Sequence, residues 1–343
     1  MYPTKILVTG GAGFIGVNFV KMLLSEAPDV TVVNFDLLTY AGNLASLEDS
    51  MNDPRHIFVH GDICDRKQVC STLKKYDIDG IINFAAESHV DRSITGPEIF
   101  VDTNIKGTLN LLQCARECEV KRFLQVSTDE VYGSLGKEGM FTETSPIAPN
   151  SPYSASKASA DHMVRAFQHT FGLDTVITRC SNNYGPYQFP EKMVPLCINN
   201  ARLEKSIPVY GDGLQVRDWL YVEDHCSAIW KVFKSAEPGS LYNIGGCNEM
   251  ANIDLVKVIL SILGKPESLI SFVKDRPGHD RRYAIDASKI MKELDWKPSV
   301  TFKQGMEKTV KWYIDNLPWL EKITSGEYRK YYDSMYEDRE IKG

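Results

Sequence analysis

The stretch KILVTGGAGFIG, residues 5–16, decides the fold. Ile6, Leu7 and Val8 are three consecutive aliphatic side chains, the signature of a strand buried on both faces. The run ends in glycine, and from Phe14 to about Ser25 the apolar spacing becomes helical. Gly10, Gly13 and Gly16 fit G-x-x-G-x-x-G. Glycine permits the tight turn and lets the backbone approach a pyrophosphate at the positive helix N-terminus. A strand, a glycine turn and a helix in that order open a parallel α/β sheet that holds a dinucleotide.

The rhythm repeats along the first half. TVVNFD (31–36), HIFVHGD (56–62), GIINFAA (80–86), RFLQVS (122–127) and TVITRC (175–180) read as further buried strands. Helical stretches separate them, such as 104–119 with Ile105, Leu109, Leu112 and Ala115 on one face. The expected class is α/β, a Rossmann-type doubly wound parallel sheet with a smaller α/β C-terminal domain for substrate. After Tyr184 the elements shorten and Pro and Gly become frequent, beginning with NNYGPYQFPEK (182–192). The expected division is 1–185 for the nucleotide-binding domain and 186–343 for the smaller one. A segment near 220–246, ending in SLYNIGG, is expected to return to the sheet. The charged, tyrosine-rich tail after Trp319 reads as a peripheral helix or a poorly ordered end.

The 343 residues are 43% hydrophobic and 24% charged, with a formal net charge of -6. That balance gives no footprint for nucleic acid or an anionic membrane. No apolar run reaches the ~18 residues of a membrane span, and the N-terminus does not read as a signal peptide. No pair among the eight cysteines has the two-residue spacing of a zinc or redox motif. A reduced, cytoplasmic protein without a structural metal is expected.

Asp36 follows Gly16 by twenty residues at the end of a strand, where a carboxylate accepts hydrogen bonds from ribose hydroxyls and repels a 2′-phosphate. No arginine occurs in the following LLTYAGN, so NAD is preferred to NADP. A solvated loop acid is the competing reading. Asp62 closes the third strand, in reach of an adenine amino group or as a turn acid.

Two stretches carry chemistry. YSASK (153–157) puts Tyr153 and Lys157 on one helical face. An ammonium beside a phenol lowers its pKa from ~10 and suits removal of an alcohol proton during hydride transfer. STDEVYG (127–133) sets Asp129 beside Glu130 at a strand end, after the hydroxyls of Ser127 and Thr128. Paired acids in different protonation states can serve two roles; alternatively they cap a following turn.

TGGAGFIG, Asp36, YSASK and the alternating layout resemble the extended short-chain dehydrogenase/reductase superfamily. DLLTYAGN, AAESHVDRSI, STDEVYG, RCSNNYGPYQFPEK and DRPGHDRRYAID more narrowly resemble the dTDP-glucose 4,6-dehydratases. The resemblance implies a lyase in which Tyr153, Lys157 and Thr128 serve oxidation at carbon 4, Glu130 takes the carbon 5 proton, and Asp129 protonates the leaving hydroxyl on carbon 6. It implies a cofactor site formed by Gly10, Gly13, Phe14, Ile15, Gly16, Asp36, Leu38, Thr39, Asp62, Ile63, Ala85, Ala86, Thr103, Ser127, Tyr153 and Lys157. It implies a nucleotide-sugar site formed by Ser88, Thr128, Asn182, Lys192, Arg217, Asn252, Arg276 and His279. Surface ion pairs with Asp218 or Asp275 are the competing reading for Arg217 and Arg276. His89 is expected to be structural. A homodimer pairing the helices at 104–119 and 154–170 is also implied. A 4-epimerase, a dehydratase for a UDP or GDP sugar, and an NAD-binding module without chemistry remain the alternatives.

Overall fold

The computed structural model describes residues 2–324, so most of the tail discussed above lies outside the described residues. In the first half the strands are β1 (Lys5–Thr9), β2 (Thr31–Asp36), β3 (His56–His60), β4 (Gly80–Asn83), β5 (Arg122–Thr128) and β6 (Thr175–Cys180). Later come β7 (Asn182–Tyr184), β8 (Ile207–Tyr210), β9 (Val216–Tyr221), β10 (Leu241–Ile244), β11 (Glu249–Ala251) and β12 (Ile270–Val273). A seven-stranded sheet runs β10-β6-β5-β4-β1-β2-β3, and every pairing in it is parallel. The order runs outward in both directions from β1 and β4, which opens a crevice at their carboxyl ends. The apolar runs of the first half are thus all strands of this sheet. Their polar or glycine ends, such as Gly61 and Asp62, turn away from it.

The helices of the first half are α1 (Phe14–Glu26), α2 (Arg66–Lys75), α3 (Val90–Thr95), α4 (Glu98–Phe100), α5 (Thr108–Glu117) and α6 (Pro152–Phe171). Strand side chains alternate between two cores. Ile6 and Val8 join α1 on one face, whereas Leu7 joins α2, α5 and α6 on the other. Truncating a fully buried leucine such as Leu7 to alanine costs about 2–5 kcal/mol.

The expected helix at 104–119 starts differently. Residues 101–107 form a π-helical turn before α5. Gly107 permits close packing there, because a Cβ on it would lie 2.5 Å from Ile63 Cδ1. The wide turn carries Asn104, which is buried.

The rest of the chain adds α7 (Met193–Arg202), α8 (Val222–Ser235), α9 (Asn252–Leu263), α10 (Ser288–Leu294) and α11 (Phe302–Asp315). A separate core forms where α7, α9 and α11 pack on β8 and β9. There β9 is flanked by β7 and β11, and β8 pairs with β12. The chain crosses between the two cores more often than a division at residue 185 implies. Strand β7 already belongs to the smaller sheet, whereas α8 and Ile290 of α10 pack on the large sheet's core. Strand β10 completes that sheet beside β6.

Candidate active site

At the carboxyl end of β1 the chain turns through Gly10, whose φ is +69°. A Cβ on Gly10 would sit 2.7 Å from Ala85 N, and one on Gly16 would sit 2.2 Å from Gly10 O. The turn, the loop after β4 and the start of α1 are therefore packed backbone to backbone. Phe14 and Ile15 pack partly against the core. Asp36 is buried and not a solvated loop acid. Its carboxylate accepts from Ala12 N at 2.9 Å and from Leu38 N at 2.7 Å. Each oxygen keeps a lone pair for a further donor. The cradle suits a diphosphate at the turn and a diol at Asp36.

Leu38 has φ +56°, and the Thr39 carbonyl accepts from Gly42 N at 3.0 Å, closing this loop. Asp62 makes a local turn, accepting from Cys64 N at 2.8 Å. The Ile63 side chain faces the core, so only its backbone remains for a ligand. Ala85 and Ala86 lie half-buried in the loop after β4, and Thr103 is half-buried in the π-helical turn.

The acid pair sits where β5 ends. Thr128 caps a short 3-10 turn, Asp129–Tyr132, by accepting from Glu130 N at 3.2 Å. The capping expectation is therefore met by the threonine, which frees the two acids. Asp129 is 2% exposed, and its Oδ2 has no hydrogen-bond partner. Burial pushes the Asp129 carboxyl well above the usual carboxylate range, and the neighbouring Glu130 and Asp218 charges push it further. Burial also raises Glu130, but Arg276, Arg217 and Lys192 all oppose it. The balance differs at the two acids: at Asp129 the Glu130 and Asp218 charges come ahead of Arg217, whereas at Glu130 three cations come ahead of Asp280.

Helix α6 starts at a fixed point. Ser151 and Ser154 form a capping box around Pro152, so Tyr153 opens the first turn. Burial, then Glu130 and Cys180, push the Tyr153 phenol well above its ordinary value, and a hydrogen bond with Thr128 pulls it back. Lys157 is buried and donates to Val126 O at 2.7 Å rather than to the phenol. Ser127 is buried on β5, with an unpartnered Oγ.

Apart from Ser88, before α3, and Thr128, at the end of β5, the predicted substrate residues come from the smaller unit. Asn182 lies on β7, Lys192 precedes α7, Arg217 lies on β9 and Asn252 opens α9. Arg276 and His279 follow β12 in sequence. Arg217 is 4% exposed and donates to Val216 O and Asp280 O with its guanidinium over the Tyr283 ring. The surface-pair reading thus fails: Asp218 instead accepts from Gly246 N and Asn248 N. The Arg276 guanidinium meets Asp91 at 3.6 Å, while from Arg276 the Asp275 carboxylate accepts only the backbone N–H, at 2.8 Å. Lys192 donates to Ser88 O at 2.8 Å. His279 Nδ1 lies 2.6 Å from Asp275 Oδ1, and burial followed by the Arg276 charge pulls its pKa down to about 4. Asn182 Oδ1, Asn252 Oδ1 and Arg276 Nε are buried without partners, as polar atoms awaiting a polar ligand are.

Several residues of the site were missed in the sequence. Asn104 accepts from Glu87 N at 2.9 Å and donates to Ser156 Oγ at 2.8 Å, tying the loop after β4 to α6. Glu191 accepts from Tyr40 OH at 3.0 Å and from Arg92 Nε at 3.3 Å, linking the Asp36 loop to Lys192. His89 is buried 4.0 Å from Glu191. Only the position of Glu191 beside Lys192 hinted at this network. Among the described residues no group of three or more His, Cys, Asp or Glu side chains is disposed to hold a metal ion.

The comparisons with known proteins agree with this geometry. The family model described as GDP-mannose 4,6 dehydratase matches residues 7–309. A dTDP-glucose 4,6-dehydratase of Xanthomonas campestris pv. campestris (strain B100) is 54% identical, over 94% of this chain and 97% of that protein. The dTDP-glucose 4,6-dehydratase 1 of Escherichia coli (strain K12) is 50% identical, over 98% of this chain and all of its own length (100%). The structure of a Streptomyces venezuelae dTDP-glucose 4,6-dehydratase with NAD and TYD bound superposes with a TM-score of 0.91 at 50% identity, covering 93% of this chain and 100% of that one. A UDP-glucose 4-epimerase from Thermotoga maritima shares the fold at 28% identity, with a TM-score of 0.85 over 92% of this chain and 100% of its own. Identity over almost the whole length, an acid pair split by its surroundings and a dinucleotide cradle lead to one assignment: the chain belongs to the dTDP-glucose 4,6-dehydratase family.

Proposed function

We propose that this chain dehydrates dTDP-glucose to dTDP-4-keto-6-deoxyglucose and water. The observation that carries the reading is the split acid pair: both carboxyls are raised by burial, Asp129 well above the usual range and further by neighbouring carboxylates, whereas three cations oppose the rise at Glu130. Tyr153 accepts the proton of the carbon 4 hydroxyl, and Thr128 orients that oxygen. The glycine turn and Asp36 would hold NAD, which would supply a reversible hydride acceptor serving carbon 4 and then carbon 6. Lys157 keeps a positive charge behind the phenol. The resulting 4-ketone acidifies carbon 5, where Glu130 removes the proton. Asp129 protonates the departing hydroxyl on carbon 6, which leaves as water, and a proton exchanged with solvent returns to carbon 5 as carbon 6 accepts the hydride. Arg217, Arg276 and Lys192 hold the diphosphate side of the substrate, supported by their burial next to Glu130.

Asp36 and the absence of arginine from residues 37–43 favour NAD over NADP. The large-sheet unit holds the cofactor and the smaller unit holds the sugar nucleotide, a division supported by their separate cores. A homodimer is supported by exposed apolar side chains on α4, the π-helical turn and α6. A cytoplasmic location is supported by eight cysteines that are all free.

The test is a parallel incubation with dTDP-glucose, UDP-glucose and GDP-mannose in heavy water. The expected product forms from dTDP-glucose, has lost water and carries one deuterium, at carbon 5. A product of unchanged formula with no solvent deuterium at carbon 5 points to a 4-epimerase and ends the dehydratase reading. Turnover of UDP-glucose or GDP-mannose in preference to dTDP-glucose moves the assignment to another nucleotide.

A further inference from the structure

Behind Lys157 lies a buried ion pair that the reaction as described does not use. Arg179 on β6 donates through Nε to Asp161 Oδ2 at 2.9 Å, with side chains 7% and 2% exposed. Asp161 sits one helical turn after Lys157 on α6, so both face the same neighbours. The other carboxylate oxygen, Oδ1, is buried and has no hydrogen-bond partner. Lys157 spends one donor on Val126 O and has two left. Ser127, the next residue of β5, pairs in register with Arg179. Two buried cations, Lys157 and Arg179, thus lie close to one carboxylate on the same helix face, Arg179 bonded to it directly.

We propose that Asp161 is a positioning residue of the catalytic pair: anchored by Arg179 on the buried face of α6, one helical turn from Lys157, its carboxylate keeps the Lys157 ammonium charged for Tyr153. The proposal rests on the reading of Tyr153 and Lys157 as the proton-transfer pair. Burial alone pulls Lys157 down from its ordinary value, toward the neutral amine, and Asp161 is the first of the groups that oppose this, followed by Cys180. Arg179 is fixed in turn by its guanidinium over the Tyr132 ring, 4.8 Å from the centroid.

The surrounding charges leave Asp161 this task. On α6, His162 and Arg165 are exposed. On β6, Arg179 and Cys180 face inward, and on β5, Arg122 pairs with Asp174. Asp129 and Glu130, on the turn after β5, act on Tyr153. On α3, Asp91 meets Arg276 and Arg92 meets Glu191. Glu98 of α4 and Arg116 and Glu117 of α5 are exposed, and Lys106 pairs with Asp102 at the surface of the π-helical turn.

The experiment measures kcat/KM for dTDP-glucose against pH in wild type, Asp161→Asn, Asp161→Glu and the double variant D161N/R179Q. The double variant leaves no buried guanidinium unpaired and guards against loss of fold in the single one. Lys157 must keep its proton, so removing the nearby anion should shift the alkaline limb down by about one pH unit or more, a tenfold loss on that side. Asp161→Glu should restore the limb. A readout independent of turnover is the resonance of Lys157 in protein carrying isotope-labelled lysine, identified by its loss in Lys157→Met. It should titrate at lower pH in D161N and in the double variant. An ion pair that served packing alone would scale the rate and leave both limbs and the resonance unmoved, and that result overturns the proposal. A Tyr153→Phe enzyme that keeps its turnover would remove the underlying reading instead, which separates the two failures.

Discussion

Asp129 and Glu130 are neighbours in the chain but not in chemistry. At Asp129 the charges of Glu130 and Asp218 come ahead of Arg217, whereas at Glu130 those of Arg276, Arg217 and Lys192 come ahead of Asp280. Glu130→Gln removes the base for carbon 5 and leaves oxidation at carbon 4 intact. Absorbance of the reduced cofactor should then accumulate on the enzyme while product fails to appear; undiminished dehydration would refute the assignment. Tyr153→Phe deletes the first base and keeps the shape of its site. It should lower turnover at least ~100-fold, the usual worth of a positioned proton acceptor, with the cofactor still bound. A residual rate above about a tenth of wild type would require a different base. Both acids and the Tyr153–Lys157 pair were legible in the sequence because each constellation is local. Asn104 and the Tyr40–Glu191–Arg92 cluster were not, because their partners are far apart in the chain and meet only in the fold. The same distance hid Asp161, whose partner Arg179 lies on the next strand.

At the scale of elements, hydrophobic runs located the strands because a parallel sheet buries both faces of each one. The π-helical turn at 101–107 escaped a periodicity argument, since one widened turn barely changes the apolar spacing. The 3-10 turn at Asp129–Tyr132 escaped it as well, being too short to show a period. At the glycine turn backbone meets backbone closely, and Gly16 gives that packing a sharp test. A methyl group there meets Gly10 O at 2.2 Å and Gly11 Cα at 2.7 Å, both backbone atoms that cannot move aside alone. Gly16→Ala should push α1 away from β1. The overpacking cost is about 1–3 kcal/mol. Calorimetry should find weakened NAD binding, and thermal unfolding a lower Tm. Wild-type values for both would mean that the close packing of α1 on the turn is not what shapes the cradle.

For the whole molecule, two kinds of buried or unburied surface make predictions. His225 is fully buried on α8, lies 2.8 Å from Asn183 Oδ1 through Nδ1, and is pulled by burial down to about 3. Its unfolded value is ~6.5. The unfolded chain therefore binds the proton more readily, and stability is full above pH ~6.5 and falls as the pH drops toward the folded value. From pH ~6.5 to ~5 this one group should remove about 2 kcal/mol. Denaturant unfolding of wild type and His225→Gln at both pH values isolates the contribution, and parallel pH slopes would deny it. The second surface is apolar and open to solvent: Ile99 51% exposed, Val101 43%, Met163 37% and Phe171 49%. These residues lie on α4, the π-helical turn and α6, with Arg116 of α5 stacked over the Phe171 ring at 4.3 Å. A two-fold axis brings such a patch against its own copy, so one set of residues covers both halves. A stable interface needs ~800 Å² from each partner, more than these side chains alone supply, so the polar flanks of the two helices must join it. Sedimentation should find wild type as a dimer. A Val101→Asp, Met163→Asp variant places unpaired carboxylates in that contact, where burial of a lone charge costs several kcal/mol, yet both side chains are exposed in the single chain. It should sediment as a folded monomer with unchanged circular dichroism. A monomeric wild type would refute the self-association. A variant that stays dimeric would move the contact to another face, away from the helix that carries Tyr153 and Lys157.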